Sequence, residues 1–195
     1  MDIRALHTQA LALATEVVEQ VKADQLDLPT PCADWTLGTL LAHMIGQNHG
    51  FAAAARGLGD DHEQWRDRPV EGAPVAPWAI SAAELTAAFA TAEEPFRIPE
   101  IRPGVDIPAD IAISFHYLDT LVHGWDLAAT LGLPFEPPAE LAQVLLAVAG
   151  KVPAEPADRG PGKFFAEVRE AEQEADAFDR ALALLGRDRS WTPAG

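Results

Sequence analysis

Apolar positions in this chain recur at intervals of three and four along most of its length, and no segment sustains the alternation in twos that a half-buried strand needs. Helices are therefore the expected elements. The first runs from about Ile3 to Lys22, with Leu6, Ala10, Leu13, Val17 and Val21 on one face. The prolines of "DLPTPCADW" interrupt the pattern, and Thr36 follows as an N-cap, with Trp35 and Leu40 at the spacing of a hydrophobic staple. The second helix extends from Thr36 to Gly57 and carries Leu37, Leu40, Leu41, Met44, Phe51 and Ala55 on one stripe. Residues 57–80 are rich in Gly, Pro and Asp, with isolated Trp65 and Trp78, and read as a long irregular excursion of the kind that covers a site.

The spacing of "SAAE", Ser81 to Glu84, predicts a capping box that opens a third helix, which Pro95 ends. A turn-rich patch, "RIPEIRPGVDIP", leads into a fourth helix over about Pro108 to Leu131, stopped by the Gly132–Pro134 turn. A shorter helix follows over about Pro138 to Val148, then a Pro/Gly-rich loop from Lys151 to Gly162. A last short helix within "EADAFDRALALLGRDRSW" is capped at Gly186. Four principal helices with one long crossover predict an all-α bundle rather than any α/β scheme. A chain of 195 residues, 48% of them hydrophobic, has room for one sizeable core, so a single domain over residues 1–195 is expected.

Charge narrows the partners. Thirty acidic residues stand against fourteen basic ones, and a net charge of −16 repels phosphate backbones and anionic membrane surfaces, so no nucleic acid and no membrane is expected as a partner. The first twenty-two residues are apolar only at helical intervals, which suits neither a signal peptide nor a membrane span; a cytoplasmic location is the expectation. Cys32 is the sole cysteine, so an internal disulfide and a cysteine-based zinc finger are both excluded, and a metal site has to use histidine and carboxylate. Cys32 itself reads either as a small buried filler or, just ahead of a helix start, as a thiol made acidic by the helix dipole.

The candidate chemistry lies in "SFHYLDTLVHGWDLA", residues 114–128. At about 100° per residue, Ile111, Phe115, Leu118, Val122, Trp125 and Ala129 form one stripe, and this is the expected core face. His116, Asp119 and His123 make a second row beside it, continued one turn on by Asp126. An Asp-x-x-x-His pair can offer one carboxylate oxygen and one imidazole nitrogen to a cation, and bundle metal sites are completed from a facing helix. The same pair is commonly only a hydrogen-bonded surface pair, and Asp126 reads either as a solvated residue or as a hydrogen-bond partner of a ligand histidine. Two histidines of the second helix could complete the set. Periodicity places His43 away from the apolar stripe, on a face with Thr39, Gly46, Gly50 and Ala54, small enough for a close neighbour or a ligand. His49 lies on another face, and spacing alone does not choose between them.

The segments "TPCADWTLGTLLAHMIGQNHGF", "HYLDTLVHGWDLAATLG" and "ALALLGRDRSW", in this order, resemble the actinobacterial metal-binding proteins of the DinB/YfiT-like superfamily, close to the N-terminal domain of mycothiol-dependent maleylpyruvate isomerase. The resemblance implies an up-down-down-up four-helix bundle, with additional short helices and a long loop, that binds a divalent metal. Carried onto this chain it implies His43, rather than His49, with Asp119 and His123 as ligands, and His116 and Asp126 in support behind them. Zinc is the first expectation, with nickel or iron as alternatives. The family pattern has glutamate where this chain has Asp119, one methylene shorter, which bears on ligand reach. No counterpart of the isomerase's further C-terminal domain is expected in this chain, so isomerisation of maleylpyruvate is not carried over. Three protein ligands leave coordination positions open, which suits catalysis. The implied activity is a thiol transferase or isomerase-like reaction between a low-molecular-weight thiol such as mycothiol and a small electrophile. A non-catalytic metal- or ligand-binding bundle, with a homodimer as its assembly, is the alternative from a different class.

Overall fold

The structure, a computed structural model, describes residues 2–32, 35–161 and 163–193. Six α-helices account for most of it: α1 (Ile3–Val18), α2 (Leu37–Ala55), α3 (Val75–Ala90), α4 (Ala109–Leu131), α5 (Ala139–Ala149) and α6 (Ala177–Leu184). Two short antiparallel strands, β1 (Phe96–Arg97) and β2 (Asp106–Ile107), pair within the turn-rich patch between α3 and α4. These strands carry too few residues for an alternating pattern to register in the sequence.

Several helix ends follow directly from their residues. Asp2 and Thr36 cap α1 and α2, their side-chain oxygens accepting from the backbone N–H groups of Arg4 and Thr39. Gly132 closes α4 in the left-handed region at φ 66°, and Leu133 N–H donates to the Ala128 carbonyl at 2.8 Å. The break ahead of α2 holds, although Ala33 and Asp34 of "DLPTPCADW" lie outside the described residues.

Cross-helix contacts give the bundle its directions. Arg4 meets Asp110, His7 meets His116 and Ala14 lies by Gly124, so α1 and α4 run the same way. Thr15 pairs with Trp78 while Arg4 reaches the carbonyls of Phe89 and Ala92, so α3 opposes α1. His43 faces His123 and Phe51 faces His116, so α2 opposes α4. The result is the up-down-down-up bundle, all-α and DinB-like, expected from the resemblance. One contiguous core extends from Leu6 to Leu185. Among the described residues no helix is long and apolar enough to cross a membrane.

Three expectations are corrected. Helix α3 starts at Val75 rather than Ser81; Ser81 is fully buried in mid-helix, donating to the Trp78 carbonyl and accepting from Asn48 Nδ2 at 2.9 Å. A capping box and a buried serine bonded across helices share the same spelling, and here packing decides. Helix α4 is buried nearly all round rather than along one stripe: Leu118, Val122 and Trp125 are core, but so are Ile113, Tyr117, Leu121 and Leu127, whereas Ile111 is exposed. A helix packed against α1, α2 and α5 has little solvent face to give a periodic stripe its direction. The first helix ends at Val18, earlier than Lys22, and its Leu13 is half-buried.

The small face of α2 receives the irregular segment 56–74 and not a neighbouring helix. A Cβ on Gly50 would stand 2.3 Å from Trp65 Cε3, and one on Gly46 would stand 2.6 Å from the Arg66 carbonyl oxygen. Trp65 is buried there, its Nε1–H donating to the Gly59 carbonyl at 2.8 Å, with Phe51 edge-on to the indole. Trp65→Ala is expected to lower the unfolding free energy by about 3–5 kcal/mol. Denaturant titration reads this directly, and a loss within about 0.5 kcal/mol, the scale of surface substitutions, would show that the indole is not an anchor.

Candidate metal centre

Helices α2 and α4, running in opposite directions, bring His43 against Asp119 and His123. One donor atom from each of the three lies within 4.8 Å of the others. His123 Nε2 stands 3.3 Å from Asp119 Oδ1, and the His43 and His123 rings meet edge to face with centroids 5.5 Å apart. The Trp35 indole packs on both, 4.8 Å from the His43 ring and 6.0 Å from that of His123. His123 is buried, whereas the side chains of His43 and Asp119 keep 20% and 28% of their surface, so the cluster is open on one side.

Behind His123 the site is closed and charged. Its Nδ1 donates to Asp126 Oδ2 at 2.9 Å, and Arg187 Nη2 donates to the same oxygen at 2.9 Å. Asp126 is wholly buried, so it is an ion-paired carboxylate and not a solvated helix residue. Arg187 follows α6 directly: Gly186, at φ 81°, turns the chain there, and the Arg187 N–H returns to the Leu182 carbonyl at 2.9 Å. The role of the "LLGRDRSW" tail is thus to carry a guanidinium under α4.

Electrostatics follow from this packing. Burial disfavours the charged form of His123, but Asp119 and Asp126 outweigh it and raise the imidazole to about 9. Burial likewise opposes ionisation of Asp119, yet the charge and hydrogen bond of His123, with His43 and His116 beyond, hold that carboxyl well below the usual range. Asp126 is also lowered against its burial, chiefly by Arg187. With Nδ1–H fixed on Asp126, the nitrogen that faces Asp119 is the one free to exchange its proton for a cation. Two imidazoles and a carboxylate, with one imidazole oriented by a second carboxylate, fit a divalent transition metal.

The remaining candidates are placed as follows. His116 is buried; its Nδ1 lies 2.9 Å from His7 Nε2 and 3.0 Å from Thr120 Oγ1, and its Nε2 has no partner among the described residues. Burial above all lowers it to about 4 and lowers His7 as well. His49 sits apart, bonded to Glu84 Oε2 at 2.7 Å. Cys32 lies within 4.8 Å of donor atoms of His123 and Asp126, on the Asp126 side. Burial pushes its thiol up to about 11 despite the nearby Arg187, the reverse of the acidified thiol that a helix start would produce. His7 and Arg187 join the site's surroundings without a sequence signal, since each meets its partner across more than sixty residues of chain.

The family model described as the mycothiol maleylpyruvate isomerase N-terminal domain matches residues 7–128. The chain belongs to this family. It is 34% identical over 193 residues to uncharacterized protein MT0763 of Mycobacterium tuberculosis (strain CDC 1551 / Oshkosh), with 96% of this chain and 98% of the relative covered. Uncharacterized protein Rv0738, from a second strain of that organism, matches to the same extent. Among solved structures, a point mutant of mycothiol-dependent maleylpyruvate isomerase superposes with TM-score 0.60 at 14% identity, covering 76% of this chain and 70% of that one. The isomerase without that mutation gives TM-score 0.55 at 15% identity with the same coverage. These two likenesses establish the shared bundle fold, and the family match covers both helices of the cluster, α2 and nearly all of α4.

In the metal-free protein the histidines set opposing pH limits. His123 holds a proton more tightly folded than unfolded, so its stabilisation is complete below its unfolded pKa of 6.5 and is lost as the pH rises to about 9. His116 must stay neutral when buried, so stability falls as the pH drops from 6.5 towards about 4. Urea unfolding across this range is expected to show greatest stability near pH 6.5; stability still climbing from there towards pH 9 would contradict the charged His123.

Proposed function

We propose that this chain is a divalent-metal-dependent enzyme joining a low-molecular-weight thiol to a small electrophile, in thiol-transferase or isomerase-like chemistry. His43, Asp119 and His123 are its metal ligands. The observation that carries the reading is the convergence of these three donors at a half-open site, with His123 already committed through Nδ1 to buried Asp126. Zinc is the expected metal, and the same donors suit nickel or iron. When bound, such an ion lowers the pKa of a coordinated thiol or water towards neutrality.

The protein's own residues supply orientation and exclusion. Asp126 keeps the His123 proton on Nδ1, Arg187 keeps Asp126 ionised, and the Trp35 indole shields the two imidazoles from one side. His116 stands one turn before Asp119 on α4, in a ring of Phe51, Phe89 and His7, and closes the apolar floor beside the site. Burial disfavours the thiolate of the chain's sole cysteine, Cys32, and a co-substrate is the proposed source of the reacting sulfur. Mycothiol is the proposed co-substrate because the family and the solved relatives are named for it. Maleylpyruvate itself is not proposed as the substrate.

Elemental analysis of untagged protein is expected to give stoichiometric metal in the wild type and none in the His43→Ala/His123→Ala double variant. Equal metal in both samples would remove this ligand set. With metal in place, thiol-dependent loss of an electrophile such as a maleyl compound is expected; metal-replete protein that neither binds nor consumes any thiol would instead favour a non-catalytic binding bundle.

A further inference from the structure

Asp67 belongs to the segment 56–74 and to none of the roles described above. Its Oδ1 lies 3.4 Å from His43 Nδ1, and it stands outside the three-donor cluster. The backbone brings it there. Arg68 N–H donates to the Ala42 carbonyl at 2.9 Å, and the missing side chain of Gly46 lets the Arg66 carbonyl and the Asp67 Cα settle on α2. Trp65, seated on Gly50, secures the segment immediately upstream. Ala42 and Gly46 stand before and after His43 on its helix, so the two attachments hold the segment against the stretch that carries this histidine. The carboxylate is carried on a short side chain, and its position is therefore set by docked backbone rather than by a long flexible arm.

His123 offers a parallel. There a carboxylate takes Nδ1 and leaves Nε2 facing Asp119. We infer that Asp67 is a positioning residue for His43: its negative charge beside Nδ1 favours the Nδ1–H tautomer and leaves the Nε2 lone pair for the cation. The inference rests on His43 being a ligand, as proposed above. It makes the segment 56–74 part of the metal centre, so that docking of the segment and binding of the ion favour each other. Asp67 keeps 53% of its side-chain surface, so its effect belongs at the lower end of the range for groups behind a ligand histidine, about tenfold in metal affinity.

Two measurements on the full chain test this. Competition with a chromophoric chelator for zinc is expected to show about tenfold weaker binding for Asp67→Ala, and nearly as much weakening for Asp67→Asn, which keeps the shape of the side chain but not its charge. Nitrogen NMR of the His43 ring in metal-free protein is expected to show the Nδ1–H tautomer in wild type and a shift towards Nε2–H in Asp67→Ala. Gly46→Val, which displaces the segment without touching a carboxylate, is expected to shift the tautomer likewise. Unchanged zinc affinity and an unchanged tautomer in Asp67→Ala would overturn the inference. Should wild type bind no zinc, the ligand assignment fails by itself, and the tautomer alone decides whether Asp67 orients His43.

Discussion

A carboxylate with no exposed surface sits towards the C-terminal end of the longest helix, and the rest of the site is arranged around keeping it charged. Isolated, Asp126 would take up a proton rather than remain an ion in that environment. Arg187 from the C-terminal tail and the Nδ1–H of His123 from its own helix share its oxygens, and each partner is itself buried. Such an arrangement adds little net stability, because desolvating three charged groups offsets most of their attraction, but removing Asp126 would leave two buried cations without their shared partner. It specifies geometry instead. The tail must return under α4, and the His123 ring is held with Nε2 towards Asp119 and α2.

The fold supplies the remaining half. Opposed directions for α2 and α4 put His43 across from His123, and the glycines on the outer face of α2 let the 56–74 segment press close enough to place Trp65 and Asp67. The site is consequently closed underneath, where the rings of Phe51, Phe89, His7 and His116 pack together, and open on the side where Asp119 and His43 keep contact with solvent. A reactive metal centre requires this asymmetry: fixed ligands on one side and an approach for small molecules on the other.

Much of this was legible from residue order. Helical periodicity located the four bundle helices, Thr36 announced α2, and the i,i+4 spacing of Asp119 and His123 placed the pair on one face. Which second-helix histidine joins them was not legible from spacing, because His43 and His49 differ only in what faces them: one meets Asp119 and His123, the other Glu84. Contacts between residues distant in sequence were likewise hidden. Arg187 and Asp126 are 61 positions apart, and His7 and His116 are 109 apart; no local pattern encodes either meeting. Ser81 misled because a serine three residues before a glutamate marks a helix start only when the preceding residues are not themselves helical, and Val75 to Ile80 are.

The position of a bound cation distinguishes the two donor sets around His123. Two donor sets share His123: one with His43 and Asp119, whose carboxylate faces Nε2, and one with Cys32 and Asp126, whose carboxylate faces Nδ1. Crystals of the zinc-loaded protein, measured on both sides of the zinc absorption edge, separate the two by anomalous scattering. A single peak about 2.0–2.2 Å from His43, Asp119 and His123 Nε2 is the expected result. A peak bonded to Cys32 Sγ at about 2.3 Å, with Asp126 drawn away from Arg187, would contradict it.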